Sequence, residues 1–392
     1  MIGSDSLQAG LPPLRLGIAG LGLAGAFMIR AAAHHPCITL AAAMDPLAKP
    51  REAFARHFGA RVYEDFDDLC RDRNVEGIYI ASPHRFHADQ AIQALQSGKH
   101  VLVEKPLALT MADCDRVVAV AEASPSRLIV GHTHAFDPNV REMRRLIETG
   151  DLGRLGMVLT LNYNDFLMRP HRADEFDERH GGGIVFNQVA HQIEIVRLLG
   201  GDVRSVKAAM GALDPLRAAP GHCTALMDLA SGAAASVTFS AYDFFDSDEL
   251  HGWVSEGGAE KERGRQGKTR QAFLSRVRDL EAHRDLGFGS RELPTEQPFL
   301  PHFGFLVATC ERGDLRLSPD GLVLHGLDGT RHIDVPRGPG RPGQGDALDA
   351  LWSAVRLDQP ILHDARWGRH TVEVVLAILE SARSRREIVL DT

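Results

Sequence analysis

The feature that most constrains the fold is a glycine-rich turn that follows a short apolar run. Leu14–Ala19 has the composition of a buried β-strand, and a helical stretch runs from the turn through Ala33. Gly20 permits a tight turn, Gly22 lets main-chain N–H groups approach a pyrophosphate, and Gly25 lets the helix pack closely on the strand. The turn therefore predicts a dinucleotide-binding unit. Its predicted cofactor contacts are Gly20, Leu21, Gly22, Leu23 and Ala24.

An acidic residue stands where such a unit needs one. The apolar run Ile38–Met44 ends in Asp45, twenty residues past Gly25 (45 − 25 = 20). A carboxylate at this position accepts hydrogen bonds from the adenosine ribose and repels a 2′-phosphate, so NAD is favoured over NADP. Lys49 and Arg51 follow closely and could weaken that preference. The alternative is that Asp45 only begins the next helix.

Strands and helices alternate as far as residue 131, which predicts a doubly wound parallel sheet with ligands beyond the carboxyl ends of its strands. The predicted helices are Pro50–Phe58, Ala88–Ser97 and Met111–Ala123, and the predicted strands are Val75–Ala81, His100–Glu104 and Leu128–Gly131. Polar segments follow these strands. The predicted cofactor contacts within them are Ser82, Pro83, His87, Glu104 and Lys105.

Two histidines follow the last of these strands at a spacing that could suggest a metal. We find no carboxylate or cysteine at ligand spacing beside His132 and His134, so we expect no metal site. Contact with the substrate or the nicotinamide is the favoured role for both histidines.

Composition and charge exclude several classes of function. The formal net charge is −8 without a basic run, which argues against nucleic acid as a partner. An anionic substrate would therefore need a local cluster of arginine or histidine. The five cysteines are scattered singly, which fits a reducing cytoplasm and provides no zinc or disulfide framework. Residues 1–13 are expected to form a flexible leader rather than a signal peptide, and no apolar stretch reaches the length of a membrane span.

After residue 135 the pattern changes to β-rich runs with few helices between them. The predicted strands are Gly156–Tyr163, Val203–Met210, Cys223–Leu229 and Ala234–Tyr242. Ser231-Gly232 predicts a hairpin turn between the last two strands. Glu256–Thr269 is expected to be a mobile loop, and Arg337–Gly345 an irregular connection.

The order of these motifs resembles the Gfo/Idh/MocA oxidoreductase family. The resemblance is carried by the glycine turn, by Ala81–His87, by Gly98–Leu109 with its Glu-Lys-Pro, and by Phe136–Pro138 and Gly181–Gly183. It implies an NAD-binding Rossmann domain at 14–134 and a substrate-binding and oligomerisation domain at 135–392. The second domain would have a large, mostly antiparallel open sheet, through which a homodimer or homotetramer forms. The terminal helix and strand would run from Trp367 to Val389.

The same resemblance implies the catalytic residues. Lys105 matches the family's catalytic lysine, which hydrogen-bonds the reacting hydroxyl or carbonyl, and His191 matches its catalytic histidine. Asn187 departs from the family, which usually has aspartate four residues before that histidine. One helical turn separates positions 187 and 191, so we expect the two side chains to act together without a carboxylate.

Further segments resemble one branch of the family, the bacterial phthalate cis-dihydrodiol dehydrogenases. They include residues 131–141 and 186–192, Phe245–Glu249, and His302–Gly304. This resemblance implies oxidation of 4,5-dihydro-4,5-dihydroxyphthalate to 4,5-dihydroxyphthalate in aromatic-acid breakdown. The expected substrate contacts are His132, His134, Arg169, Arg172, Asn187 and His191.

Alternatives remain at two levels. The segment from Arg169 to Arg172 suits a dicarboxylate, because arginine binds carboxylates in a bidentate manner. It could instead be a solvated loop paired with Asp174, Glu175 and Asp177. The whole protein could be a sugar or inositol dehydrogenase of the same family. A regulator that binds NAD(P) without turnover is a more remote alternative, disfavoured by the presence of both Lys105 and His191.

Overall fold

The computed structural model describes residues 10–171, 173–275, 287–289, 297–337 and 341–390. The described chain divides into two compact units. The first contains residues 10–132, 287–289 and 341–372, and the second contains residues 133–171, 173–275, 297–337 and 373–390. Arg172 lies outside the described residues, as does most of the expected leader.

Helices occur in both units. They are α1 (Leu23–Ala33), α2 (Ala48–Phe58), α3 (Phe66–Arg71), α4 (His87–Gln96), α5 (Met111–Ala123), α6 (Pro138–Glu148), α7 (Ala190–Gly200), α8 (Lys268–Ser275), α9 (Gln344–Arg356) and α10 (Ala365–Ser384). Local chemistry explains several ends. The Thr110 hydroxyl accepts the amide hydrogen of Asp113 at the start of α5 (3.1 Å), and α2 ends at Gly59 in the left-handed conformation.

The first unit is built on a parallel sheet, as expected. Its strands are β1 (Leu14–Ala19), β2 (Ile38–Met44), β3 (Arg61–Tyr63), β4 (Gly77–Ile80), β5 (His100–Val103) and β6 (Leu128–Val130). Within the described residues they form a six-stranded sheet in the order β3-β2-β1-β4-β5-β6. This order places the chain reversal beside β1, so the turn after β1 lies at the switch point where doubly wound sheets bind ligands.

The second unit contains a large sheet that is mostly antiparallel, also as expected. Its strands are β7 (Leu155–Tyr163), β8 (Val203–Gly211), β9 (His222–Leu229), β10 (Ala234–Ser240), β11 (Phe305–Cys310), β12 (Gly313–Ser318), β13 (Gly321–Gly326), β14 (Gly329–Asp334) and β15 (Ile388–Val389). In the described part of the chain they form nine strands in the order β14-β13-β12-β11-β7-β10-β9-β8-β15. Only the β7–β10 pairing is parallel among those described. The predicted hairpin joins β9 to β10, with Gly232 at φ +84°.

Part of the C-terminal region packs with the first unit, whereas the sequence placed all of 135–392 in the second domain. Helix α9 contacts α1, and the Trp352 indole donates to the carbonyl of Pro12 (3.2 Å). Arg356 of α9 also pairs with Glu76 (2.9 Å). Such long-range packing depends on the apolar face of α9 and leaves no local mark in the sequence.

The segment expected to be a mobile loop, Glu256–Thr269, is held by charged contacts in the second unit. Lys261 pairs with Asp248 (2.7 Å) and with Asp246, and α8 already begins at Lys268. The polar composition of the segment therefore serves internal pairing as well as solvation.

Close backbone approach accounts for two glycines of the first turn. A Cβ at Gly25 would lie 2.0 Å from the Gly20 carbonyl oxygen, and one at Gly20 would lie 2.6 Å from the Ala81 carbonyl oxygen. Gly20 also has φ +96°, a conformation that strains other residues. A Cβ at Gly22 would meet no described heavy atom within 4 Å.

We therefore predict different costs for two similar substitutions. Gly25→Ala should lower the free energy of unfolding by about 1–3 kcal/mol or more. The added methyl group would overlap the Gly20 carbonyl oxygen, and displacing this main-chain group costs free energy. Gly22→Ala, the matched control, should lower it by no more than about 1 kcal/mol. Urea unfolding without cofactor measures both. Equal losses would show that the close approach at Gly25 does not constrain the fold.

Candidate functional site

Asp45 connects the glycine turn to the end of β2. Its Oδ2 accepts the amide hydrogen of Leu21 (2.8 Å), and its Oδ1 accepts that of Leu47 (2.9 Å). Leu47, not Asp45, is the N-cap of α2. The carboxylate thus lies beside the turn predicted to hold a dinucleotide, which is the position that ribose recognition requires. Arg51 donates to the main-chain oxygen of Asp45 (2.6 Å) and so lies at the same edge.

The Glu-Lys-Pro motif follows β5 and is anchored by a buried tyrosine. The Tyr79 hydroxyl donates to Glu104 Oε1 (2.5 Å), which also accepts the amide hydrogen of His132 (3.3 Å). Burial and the Glu104 carboxylate raise the pKa of Tyr79 well above its usual value, so the hydroxyl stays protonated and remains a donor. Glu104, Lys105 and His132 therefore meet at one end of the parallel sheet, and the Lys105 side chain is largely buried.

The His87 imidazole contacts the Glu-Lys-Pro loop. Its Nδ1 lies 2.7 Å from the Pro106 carbonyl oxygen and its Nε2 lies 2.9 Å from the Ser82 carbonyl oxygen. Burial lowers the pKa of the imidazole, and the two carbonyl oxygens offset this only in part. Because both ring nitrogens face main-chain oxygens, His87 links the segments after β4 and β5, and its contact with the cofactor stays a prediction. The Ser82 hydroxyl donates to Gln90 (2.6 Å).

In the second unit, Asn187 and His191 lie where a π-helical turn meets α7. Residues Val185–Val189 form the π turn, so the expected regular helical turn between the two residues is widened. The Asn187 amide donates to the carbonyl oxygen of Gly183 (2.8 Å). Asn187 thus secures the glycine segment before the helix. Single π turns often occur at functional sites, since they change the direction in which side chains project.

A second histidine lies against His191. The ring centroids of His134 and His191 are 5.1 Å apart, and Phe303 lies 4.9 Å from each of them. His134 Nδ1 donates to the carboxylate of Asp137 (2.6 Å), which is fully buried. His134 therefore has a charged partner in Asp137.

Arg169 is tied to acidic residues other than those weighed from the sequence. Its Nε donates to Asp165 (2.7 Å), and its Nη2 lies 3.9 Å from Glu256. His171, in contrast, pairs with Glu175 (2.7 Å), and Arg179 with Asp177 (2.7 Å). Arg172 cannot be placed, because it lies outside the described residues.

Glu256 is an ionised carboxylate within this unit. Burial acts to raise its pKa, but the charge of Arg169, hydrogen bonds from the Asn162 and Asn164 amides (3.0 and 2.8 Å), and His134 outweigh burial and lower it. An anion at this position gives His134 and Arg169 a shared negative neighbour.

Three of these residues were missed by sequence reasoning. Asp137 stands three residues after His134. This spacing was a signal for a carboxylate beside the histidine, but it was not recognised from the sequence. Glu256 carries no local signal, because tertiary packing alone brings it to Arg169. Phe303 lies in a segment that resembles the family branch, but its contact with the two histidines has no local signal.

Another group of candidate metal ligands lies in the first unit. Within the described residues, donor atoms of His35, Cys37 and Asp349 come within 4.8 Å of one another. His35 Nδ1 accepts the amide hydrogen of Cys37 (3.3 Å), so a neutral ring carries its proton on Nε2, which faces Asp349 at 3.3 Å. This tautomer suits an ion pair or hydrogen bond and leaves no lone pair on Nε2 for a metal.

Comparison with known proteins identifies the family. A model described as an oxidoreductase family with an NAD-binding Rossmann fold matches residues 14–132, and a model of the GFO/IDH/MocA C-terminal domain matches residues 140–258. The chain belongs to the Gfo/Idh/MocA oxidoreductase family. As a Gfo/Idh/MocA oxidoreductase it binds NAD, which confirms the cofactor expected from the glycine turn.

Three relatives place this Gfo/Idh/MocA oxidoreductase more closely. It is 36% identical to a 1-carboxy-3-chloro-3,4-dihydroxycyclohexa-1,5-diene dehydrogenase of Comamonas testosteroni, over 94% of this chain and 95% of the other. A solved structure from Bordetella bronchiseptica RB50 shares 39% identity with a TM-score of 0.91, over 96% of this chain and 100% of that one. Inositol 2-dehydrogenase of Salmonella typhimurium is 29% identical over 50% of this chain and 57% of its own. Relatives named as dehydrogenases of cyclic diols confirm that this chain is an enzyme.

The helices of the described residues include none that is both long and apolar enough to cross a membrane.

Cofactor preference should depend on the charge of Asp45. Asp45→Ser should lower the ratio of kcat/KM with NAD to kcat/KM with NADP by about tenfold or more. Loss of a ~1.4 kcal/mol repulsion between the carboxylate and the 2′-phosphate of NADP corresponds to that factor. Asp68→Ser, which removes an exposed carboxylate of the same unit paired with Arg71, should leave the ratio unchanged. Steady-state kinetics with both cofactors measure the effect. Equal use of NAD and NADP by the wild-type enzyme would contradict this role.

Proposed function

We propose that this enzyme oxidises a carboxylated cyclohexadiene cis-diol to the corresponding dihydroxyarene, with NAD as hydride acceptor. The likeness to the Comamonas testosteroni enzyme over nearly the whole chain carries the proposal. The diol of phthalate, 4,5-dihydro-4,5-dihydroxyphthalate, is the first candidate because of the resemblance in residues 131–141 and 186–192. The monocarboxylated diol is the second.

In this mechanism the bound nicotinamide supplies only the hydride acceptor. We assign His191 as the group that accepts the hydroxyl proton, and Lys105 as the group that stabilises the developing alkoxide. Loss of the hydride yields a hydroxyketone, which becomes a dihydroxyarene by tautomerisation. Aromatisation makes the oxidation favourable overall.

Recognition of the carboxylate is assigned to Arg169. Its Nε donates to Asp165 and its Nη2 lies 3.9 Å from Glu256, so Nη1 is the group that would meet a substrate carboxylate. Asp165 and Glu256 act to raise the pKa of Arg169 against the opposing effect of burial, and the guanidinium remains charged. A local cation of this kind is required, because the protein as a whole is negatively charged.

The alternative is a polyol dehydrogenase, which the likeness to inositol dehydrogenases over half of the chain favours. Polyol recognition relies on many hydroxyl-directed polar groups and gains little from a charged arginine. The substrate's carboxylate therefore separates the two functions.

We also propose that the open face of the large sheet receives a second copy of the chain. Alternate residues of β9 are exposed on that face of the isolated chain, and Leu226 is 60% exposed.

A substrate panel tests the proposed function. We expect the highest kcat/KM for carboxylated cyclohexadiene diols, a lower value for benzene or toluene dihydrodiol, and the lowest for myo-inositol. Arg169→Gln should raise KM for the carboxylated diols about tenfold to 150-fold, the loss of a charge-assisted pair worth ~1.5–3 kcal/mol. It should scarcely change KM for the uncarboxylated diols.

Arg179→Gln is the matched control for the substrate panel. Arg179 is an exposed arginine of the same region, paired with Asp177, and its loss should leave every KM unchanged. A wild-type preference for inositol or for an uncarboxylated diol would refute the proposed function.

Lys105 should affect chemistry more than cofactor binding. Lys105→Met should keep the Kd of NADH within a few-fold and lower kcat on the order of 100-fold or more, as expected when an acid–base or oxyanion partner is removed. Fluorescence titration with NADH and steady-state rates measure the two quantities. Near-normal turnover in the variant would remove Lys105 from the mechanism.

A further inference from the structure

The second unit contains two adjacent imidazoles, although hydride transfer from an alcohol needs a single proton acceptor. His134 and His191 lie with ring centroids 5.1 Å apart and share Phe303 as an apolar wall. Two imidazolium ions at this distance would repel each other, so the pair readily holds one additional proton and resists a second. The environment of each ring decides which of them carries that proton.

A carboxylate lies beside His134. His134 Nδ1 donates to the Asp137 carboxylate (2.6 Å), so a neutral ring carries its basic lone pair on Nε2. Asp137 is also the N-cap residue of α6, where the helix dipole favours a negative charge. The Asp137 carboxylate therefore stabilises a positive charge on His134.

We propose that His134 is a second acid–base residue, which removes the C–H proton of the hydroxyketone intermediate and so completes formation of the dihydroxyarene. This inference rests on the proposed function and adds a catalysed isomerisation to it. A polyol dehydrogenase would have no use for such a group, because its ketone product does not aromatise.

The two steps balance in atoms and electrons. In the first, the carbinol C–H bond breaks, its hydride reduces NAD⁺ to NADH, and the hydroxyl proton passes to His191. In the second, His134 takes the proton from the neighbouring carbon, and the electron pair of that C–H bond becomes a ring double bond. The ketone oxygen then receives the proton held by His191 and becomes a hydroxyl group. One proton remains on His134, beside Asp137, and leaves to solvent.

The contacts around His134 suit this role. The Thr133 hydroxyl accepts the amide hydrogen of Ala135 (3.3 Å) and shapes the short turn that contains the histidine. The His134 side chain keeps 12% of its surface exposed, whereas Asp137 is fully buried. The imidazole is thus held by its carboxylate partner while part of its surface stays accessible.

Single-turnover experiments with a carboxylated cyclohexadiene diol test the proposal. NADH and the dihydroxyarene are followed together by their separate absorbance bands, and quenched samples are analysed for the hydroxyketone. In the wild-type enzyme both products should appear with one rate. In His134→Gln, NADH should still form within a few-fold of the wild-type rate, while the dihydroxyarene should appear about 100-fold more slowly and the hydroxyketone should accumulate.

Asp137→Asn provides a second variant that keeps the imidazole. It should produce the same separation of the two phases to a smaller extent, because the ring loses its charged partner. His180→Gln replaces a half-exposed histidine of the same unit and should leave both phases together. NADH affinity and thermal unfolding of each variant confirm that it is folded.

The outcomes separate the proposal from the function on which it rests. Failure of the wild-type enzyme to oxidise any carboxylated diol would overturn the proposed function itself. Normal oxidation with no lag in His134→Gln would overturn only the inference, since tautomerisation would then need no help from His134. Equal slowing of both phases would also overturn it, because His134 would then act in hydride transfer or binding.

Discussion

Helix α1 can begin directly against the end of β1 because glycine occupies position 25, where a Cβ would lie 2.0 Å from the Gly20 carbonyl oxygen. This approach brings the amide of Leu21 to the carboxylate of Asp45 and places the helix N-terminus at the carboxyl edge of the sheet. The parallel strand order then collects the residues after β4 and β5 at the same edge. The arrangement of the turn, Asp45 and the start of α1 thus depends on one close main-chain contact.

In the second unit, several ionised side chains lie in a half-buried site and are stabilised by their neighbours. Arg169 is balanced by Asp165 and Glu256, and Glu256 is in turn held by two asparagine amides. Such mutual compensation allows ionised groups to remain charged where an isolated one would pay a large desolvation cost. A substrate carboxylate would enter a site in which a cation is already positioned.

The histidine pair has a carboxylate at Asp137 and a neutral amide at Asn187. A carboxylate at position 187 would stabilise a protonated His191, but Asn187 is neutral and its amide holds Gly183 instead. The buried carboxylate of Asp137 lies beside His134. This negative charge beside His134 leads to the second acid–base role inferred for that residue.

The sequence by itself determined the parts of this protein that depend on local spacing. The glycine turn, Asp45 and the strand–helix alternation predicted the doubly wound sheet and NAD, since each depends on residues close together in the chain. Lys105, His191 and Asn187 were recognised from motifs, and their catalytic roles remain predictions. Only the tertiary structure decided the rest. Packing between distant segments returns α9 to the first unit, pairs Glu256 with Arg169, and places Phe303 against His134 and His191. No local pattern encodes the energies of such packing.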